Sequence, residues 1–139
     1  MMDELDETWR RAVLDDLAVI WNRACDYGAD GEAPEGTPLG IVHLSFLLRV
    51  YNSAMGGGLG FAVEVNEPFR LRRAIEAMRY FRLSELADLL TDVLNHESDV
   101  EYAGSRERQF YYLLGPADEN LDKAFRAKAA EAPSDFGLR

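Results

Sequence analysis

The densest polar group in this sequence is Asn95, His96, Glu97, Asp99 and Glu101. Alternating carboxylates supply the hard oxygen ligands of a calcium loop, whose twelve positions also demand a glycine at the sixth and a glutamate at the twelfth. Counted from Asn95, those places hold Val100 and Arg106, which rejects the loop. A second acidic run, from Asp26 through Asp30 and Gly31, fails with Thr37 at its twelfth position. The glycines Gly56, Gly57, Gly58 and Gly60 raise a different chemistry, since successive backbone N–H groups at a helix start cradle phosphate. No strand pattern precedes them and no Gly-Lys-Ser/Thr follows, so they read as a tight connection between helices. His43 and His96 lie in separate segments, outside any zinc spacing and away from Cys25. With 25 acids some carboxylate pair always exists in space, but no spacing selects one for acid/base work. No catalytic residue, metal or cofactor is assigned.

Charge segregation says more than any of these motifs. Residues 1–35 carry ten acids against three bases, the stretch 69–82 carries five arginines against Glu76, and the stretch 83–101 carries six acids and no Lys or Arg. One expectation is that the arginine-rich helix packs beside acidic helices and pairs with them. The alternative leaves it open for an acidic partner or a second subunit. The whole chain has a formal charge of −10, which repels phosphate backbones and attracts basic surfaces. Such acidity also serves simple solubility. Direct nucleic-acid binding is therefore not expected.

These groups must be positioned by helices. From Asp3 to Tyr27 the apolar residues recur at steps of three and four, with Gly28 placed to end that helix. Thr37 and Pro38 resemble an N-cap and first helical position, opening a helix over about Leu39–Ala54 that is apolar nearly all round and belongs in the centre. The glycine run ends it, and Phe61 to Asn66 fits either a short helix or an extended piece. Pro68 starts the arginine-rich helix, Ser84 is placed to cap the next, and helices over Tyr102–Leu114 and Asp118–Ala130 complete the set. No strand alternation is found. The expected fold is all-α, a compact bundle of six or seven helices with a glycine-rich helix–helix turn.

At 139 residues, 47% apolar, the chain has enough material for one core. We read residues 1–139 as a single domain: an N-terminal helix and acidic loop (1–36), a helical core (37–131) and a short polar tail (132–139). A lone Cys25, an acidic start and no run of about 20 apolar residues point to a reducing, cytoplasmic setting without membrane contact.

The segments Leu47 to Tyr51, Gly57 to Phe61, Asn66, the helix containing Ala74 and Leu86-Ala87-Asp88 form a further pattern. This pattern resembles a bacterial all-α domain of unknown function, one described member of which is an acidic DNA-mimic protein. Gly60-Phe61 with Asn66 is similar to that family's Asn-Gly-Gly-Phe-like turn. Leu121, Asp122 and Phe125 are similar to its Leu-Asp-x-x-Phe-like stretch, so the likeness spans roughly Leu44 to Phe125. Two features depart from it: the turn, Met55 to Phe61, carries an additional glycine-rich piece, and Val63 and Val65 stand at its aromatic positions. The resemblance implies a homodimer that presents carboxylates, arranged like DNA phosphates, to a DNA-binding protein.

The functional expectation is a non-catalytic acidic interaction domain, either an immunity-type inhibitor of a basic toxin or a DNA mimic. Glu85, Asp88, Asp92, Glu97, Asp99 and Glu101 would meet the basic partner. Two alternatives stand beside it. One is a small-molecule-binding regulatory domain with a pocket between the central helix and Phe61, Phe69 or Tyr111-Tyr112, although aromatics of this kind usually belong to the core. The other is an enzyme using an unrecognised carboxylate site.

Overall fold

Leucine, isoleucine and valine on nearly every side of the segment after Pro38 make a helix that can only be stable when surrounded. In the computed structural model, which describes the backbone of residues 2–138 and the side chains of residues 16–138, that helix is the axis of the molecule. Among the described residues seven α-helices run in the order α1 (Met2–Asp30), α2 (Leu39–Val65), α3 (Pro68–Tyr80), α4 (Ser84–Asn95), α5 (Val100–Ser105), α6 (Glu107–Leu114) and α7 (Glu119–Glu131). Single 3-10 turns cover Pro116–Asp118 and Pro133–Phe136. Helices α1, α3 and α5 pack on α2, α4 packs on α3, and α6 bridges α2, α4 and α7. No strand occurs among the described residues.

Helix α1 does not stop at Gly28. It continues to Asp30, and Gly31, at φ +92°, makes the left-handed turn that ends it. Gly28 serves the crossing instead: a Cβ there would lie 2.6 Å from the backbone oxygen of Ser45 on α2. Two arginines finish the helix from outside. Arg49 donates to the Gly28 carbonyl at 2.7 Å and Arg70 to the Gly31 carbonyl at 2.7 Å, placing cations where the helix leaves its carbonyls unpaired.

The glycine run holds a kink between two helical segments of α2. Helix α2 passes through it to Val65, so Phe61–Val65 is helical, and the backbone departs from helical geometry at Gly58 (φ +90°, ψ 169°). Two side chains of α6, one turn apart, attend to that break. The Glu107 carboxylate accepts from the Leu59 N–H at 2.8 Å, and the Tyr111 hydroxyl donates to the Ala54 carbonyl at 3.0 Å. A Cβ at Gly58 would collide with Glu107. Beyond the break, Asn66 is 2% exposed and fully used: it accepts from Arg49 at 2.9 Å and donates to Ala62 O at 2.8 Å and Ser53 Oγ at 3.2 Å.

Pro68 opens α3 as expected. That helix ends with Arg82 at φ +62° and with Leu83 N–H bonded back to Met78 O at 2.7 Å, a Schellman turn built without glycine. Neither expected hydroxyl cap forms: Thr37 donates to Pro34 O, and Ser84 is already the first helical residue of α4. The expected polar tail carries Phe136, which is buried in a notch above Gly40, against Phe81 and Phe125, with ring centroids 6.2 and 5.7 Å away. A Cβ on Gly40 would lie 2.6 Å from that ring.

Candidate functional site

The acidic stretch after residue 83 folds as α4, a turn and α5. Helix α4 buries Leu86, Ala87, Leu89, Leu90 and Val93, which turns Glu85, Asp88 and Asp92 to the opposite side at helical spacing. The chain then reverses through Glu97 and Ser98, both at positive φ. Asp99 caps α5 by accepting from the Tyr102 N–H at 2.9 Å.

The six carboxylates expected to meet a partner fall into two sets. Asp88, Asp92 and Asp99 are already engaged. Asp88 accepts from Arg79 of α3 at 2.9 Å, while Asp92 accepts from Arg106 at 2.7 Å and from the Tyr102 hydroxyl. His96 stacks on Tyr102 at 3.7 Å, with Nδ1 2.8 Å from the Asp92 carbonyl, closing a small polar cluster around Asp92. Glu85, Glu97 and Glu101 are exposed and have no ion-pair partner among the described residues. A groove lined by Glu85, Asp88, Arg106 and Gln109 runs between α4 and α6. Chemically this surface offers unspent acceptor oxygens and negative charge, the complement of Lys and Arg.

The arginine-rich helix is mostly occupied by the protein itself. Besides Arg70 on α1 and Arg79 on α4, Arg82 pairs with Glu131 at 2.7 Å, and Arg73 pairs with Glu76 at 3.4 Å and lies over the Phe46 ring. Arg72 alone of the five is exposed without a partner among the described residues. Exposed pairs of this kind contribute only about 0–1 kcal/mol each, so they neutralise α3 more than they stabilise it.

Titratable groups elsewhere serve packing. Tyr80 donates to Asp135 at 2.7 Å, stacks on His43 at 4.5 Å and lies under Lys128 Nζ at 4.6 Å. Burial, and secondly the bonded Asp135 carboxylate, push the Tyr80 hydroxyl up. Burial lowers His43, which disfavours its charged form. Tyr51 is raised by burial and then by its hydrogen bond to Asp118. Burial also raises the Cys25 thiol, whose nearest polar contact is Asn52 at 3.9 Å. Among the described residues no group of three or more His, Cys, Asp or Glu could hold a metal, and no helix is long and apolar enough to cross a membrane.

Phe61, Phe69, Tyr111 and Tyr112 lie on the surface, Tyr112 being 75% exposed, which overturns the expectation that they join the core. The grooves beside Trp21, Arg106, Lys123 and Ser84, of roughly 230–280 Å³, are lined by other residues and fall below the ~300–1,000 Å³ of ordinary ligand clefts. No protein family, curated protein or solved structure matches the chain.

Sequence reasoning passed over Arg49 and Glu107, and named Tyr111 only as the lining of a small-molecule pocket. Arg49 carried a signal, being a charge in an otherwise apolar helix, where an unpaired cation is costly. Glu107 and Tyr111 sit one turn apart like any surface pair, and their partners lie 48 and 57 residues away.

Proposed function

We propose that the chain is a non-catalytic acidic interaction domain that binds a basic partner protein through the α4–α5 surface. The observation that carries this reading is the set Glu85, Glu97 and Glu101, exposed and without ion-pair partners among the described residues, in a stretch from Leu83 to Ser105 that contains no Lys or Arg. Carboxylates in that state gain from meeting guanidinium or ammonium groups, whereas Asp88 and Asp92 would first have to leave Arg79 and Arg106. Both an immunity-type inhibitor of a basic toxin and a DNA mimic fall within this reading. In each, the partner's basic surface is occupied and the on-rate is raised by the long-range field.

The test uses the chain as bait beside its E85Q/E97Q/E101Q variant. A specific partner is retained by the first at low salt, released near ~0.5 M salt as screening shortens to a few ångströms, and held about 10–100-fold less tightly by the second. A captured partner whose affinity is the same for both baits, and the same at low and high salt, refutes the electrostatic reading.

A further inference from the structure

The break at Gly58 gathers apolar side chains on the outside of the protein. The Phe61 ring lies over Gly57, Val100 at the start of α5 touches Gly60, and Tyr111 reaches Ala54 from α6. Met55 stands beside that last contact, and Val65 follows Phe61 by one helical turn. Met55, Phe61, Val65, Val100 and Tyr111 are each between 36% and 52% exposed. Apolar side chains grouped in this way mark interaction sites more often than isolated ones. Three of the five come from residues 50–69 and one from residues 83–105, and neither stretch contains a Lys or Arg. Glu64 sits between Phe61 and Val65, Glu101 directly follows Val100, and both are exposed. An apolar seat edged by Glu64 and Glu101, neither with an ion-pair partner among the described residues, and with Arg108 beside Tyr111 as the cation on its α6 side, is complementary to one kind of surface, a helix with an apolar stripe and Lys or Arg along its borders. A second copy of this chain fits worse, because a two-fold contact of this patch with itself would lay the border carrying Glu64 and Glu101 on an identical acidic border.

We infer that the surface around the Gly58 break, formed by Met55, Phe61, Val65 and Val100 with Glu64 and Glu101 at its edge, is the docking seat for a basic amphipathic helix of a partner protein. This rests on the reading of the chain as the acceptor of a basic partner and adds the partner's secondary structure and the part of the surface that holds its apolar side. Helical anchors at i, i+3, i+4 and i+7 would meet the patch. The flanking cations would meet Glu64 and Glu101, then the nearby carboxylates of the α4–α5 turn.

The test titrates the whole chain with a synthetic helical peptide of about 18 residues, leucine on one face and lysine on the other, spanning about 27 Å. A shuffled peptide of identical composition is the control. Amide shifts followed by NMR are expected at 54–65 and 100–101. The shuffled peptide, M55S/V100S and F61S should each weaken binding about tenfold or more, and E64Q/E101Q should weaken it and flatten its salt dependence. Met55 and Val100 are exposed, and unchanged thermal unfolding of M55S/V100S separates a binding loss from a folding loss. Equal binding of both peptides, unaffected by M55S/V100S but lost on E85Q/E97Q/E101Q, overturns the seat while leaving the acidic-partner reading intact. Peptide binding that ignores every Glu→Gln change overturns the acidic-partner reading as well. A concentration-dependent dimer abolished by M55S/V100S assigns the patch to a second copy and overturns the proposal, as does the absence of any peptide binding at low salt.

Discussion

Replacing Gly58 by alanine tests the account of α2 at its most constrained point. The backbone there, φ +90° and ψ 169°, lies in a region that only glycine occupies readily, and forcing another residue into it costs about 1–3 kcal/mol. The new Cβ would also displace the Glu107 carboxylate. Its bond to the Leu59 N–H would be lost, and a hydrogen bond to a charged group is worth about 1.5–3 kcal/mol. Stiffening of the unfolded chain returns about 0.4–1 kcal/mol. The net expectation is a loss of about 2–5 kcal/mol, a large share of a stability of about 5–15 kcal/mol. For a chain of this length it lowers Tm by roughly 6–20 °C. Urea unfolding followed by far-UV circular dichroism measures it. Gly56→Ala is the internal control, being helical with nothing within 4 Å of its would-be Cβ, and should stabilise by about 0.5–1 kcal/mol. Making Gly58→Ala in a Glu107→Ala background separates backbone strain from the collision, because relative to Glu107→Ala alone only the strain is added. If Gly58→Ala lay within about 0.5 kcal/mol of the unaltered chain, or moved with Gly56→Ala, the break would not be a required feature and the reasoning would fall.

Three further outcomes follow from other contacts. Gly28→Ala should cost about 1–3 kcal/mol in denaturant unfolding, since its Cβ would press on Ser45 backbone and part α1 from α2. Asn66→Ala should cost about 1–3 kcal/mol by the same assay, because it leaves the part-buried Arg49 Nε–H without its acceptor and the Ala62 carbonyl with the residue 66 N–H alone, while no comparable loss attends the exposed Asn52→Ala. His43, lowered first by burial, takes up its proton in the unfolded chain near pH 6.5 but resists it when folded. Stability should therefore fall as the pH drops below about 6.5 and stop falling on this account once the pH passes the folded value. His43→Phe should flatten that part of a Tm-versus-pH curve, leaving the carboxylate-driven loss at lower pH.

The sequence was most legible where a rule acts locally. Pro68 marked the start of α3, the spacing of Leu86, Leu89, Leu90 and Val93 marked α4, and Gly115-Pro116 marked the gap before α7. It misled where a glycine had a second use. Gly28 satisfies the rule for a helix end, but its missing Cβ is spent on the crossing with Ser45, and the true end waits for Gly31. Low helix propensity at Gly56, Gly57 and Gly60 was outweighed by burial of Leu59, Ala62 and Val63, which holds the second part of α2 in place. The boundary at Arg106, dividing Tyr102–Leu114 between α5 and α6, follows Gly104 by two residues, a signal that the reading of one continuous helix ran through. Half of the candidate site was visible as a run of acids. The division into Glu85, Glu97 and Glu101, unpaired among the described residues, and engaged Asp88, Asp92 and Asp99 was not, because Asp88 and Asp92 find Arg79 and Arg106 9 and 14 residues away, even though the Asp99 cap on Tyr102 is local. The exposed aromatics were unreadable for the same reason, since burial depends on what folds over a residue.

The ring of Phe136 in the notch above Gly40 sets a condition on when this molecule can finish folding. Chains leave the ribosome from the amino end at about 5–20 residues per second. Helix α2, whose first turn holds Gly40, is complete long before Phe136 exists to fill its notch. Until then the growing chain carries an uncovered apolar socket beside Phe81 and Phe125, and the last turn arrives as a plug. Closure of the core thus waits for residue 136 to emerge, and a nascent chain stalled before it would display to chaperones a hydrophobic surface that the folded protein hides.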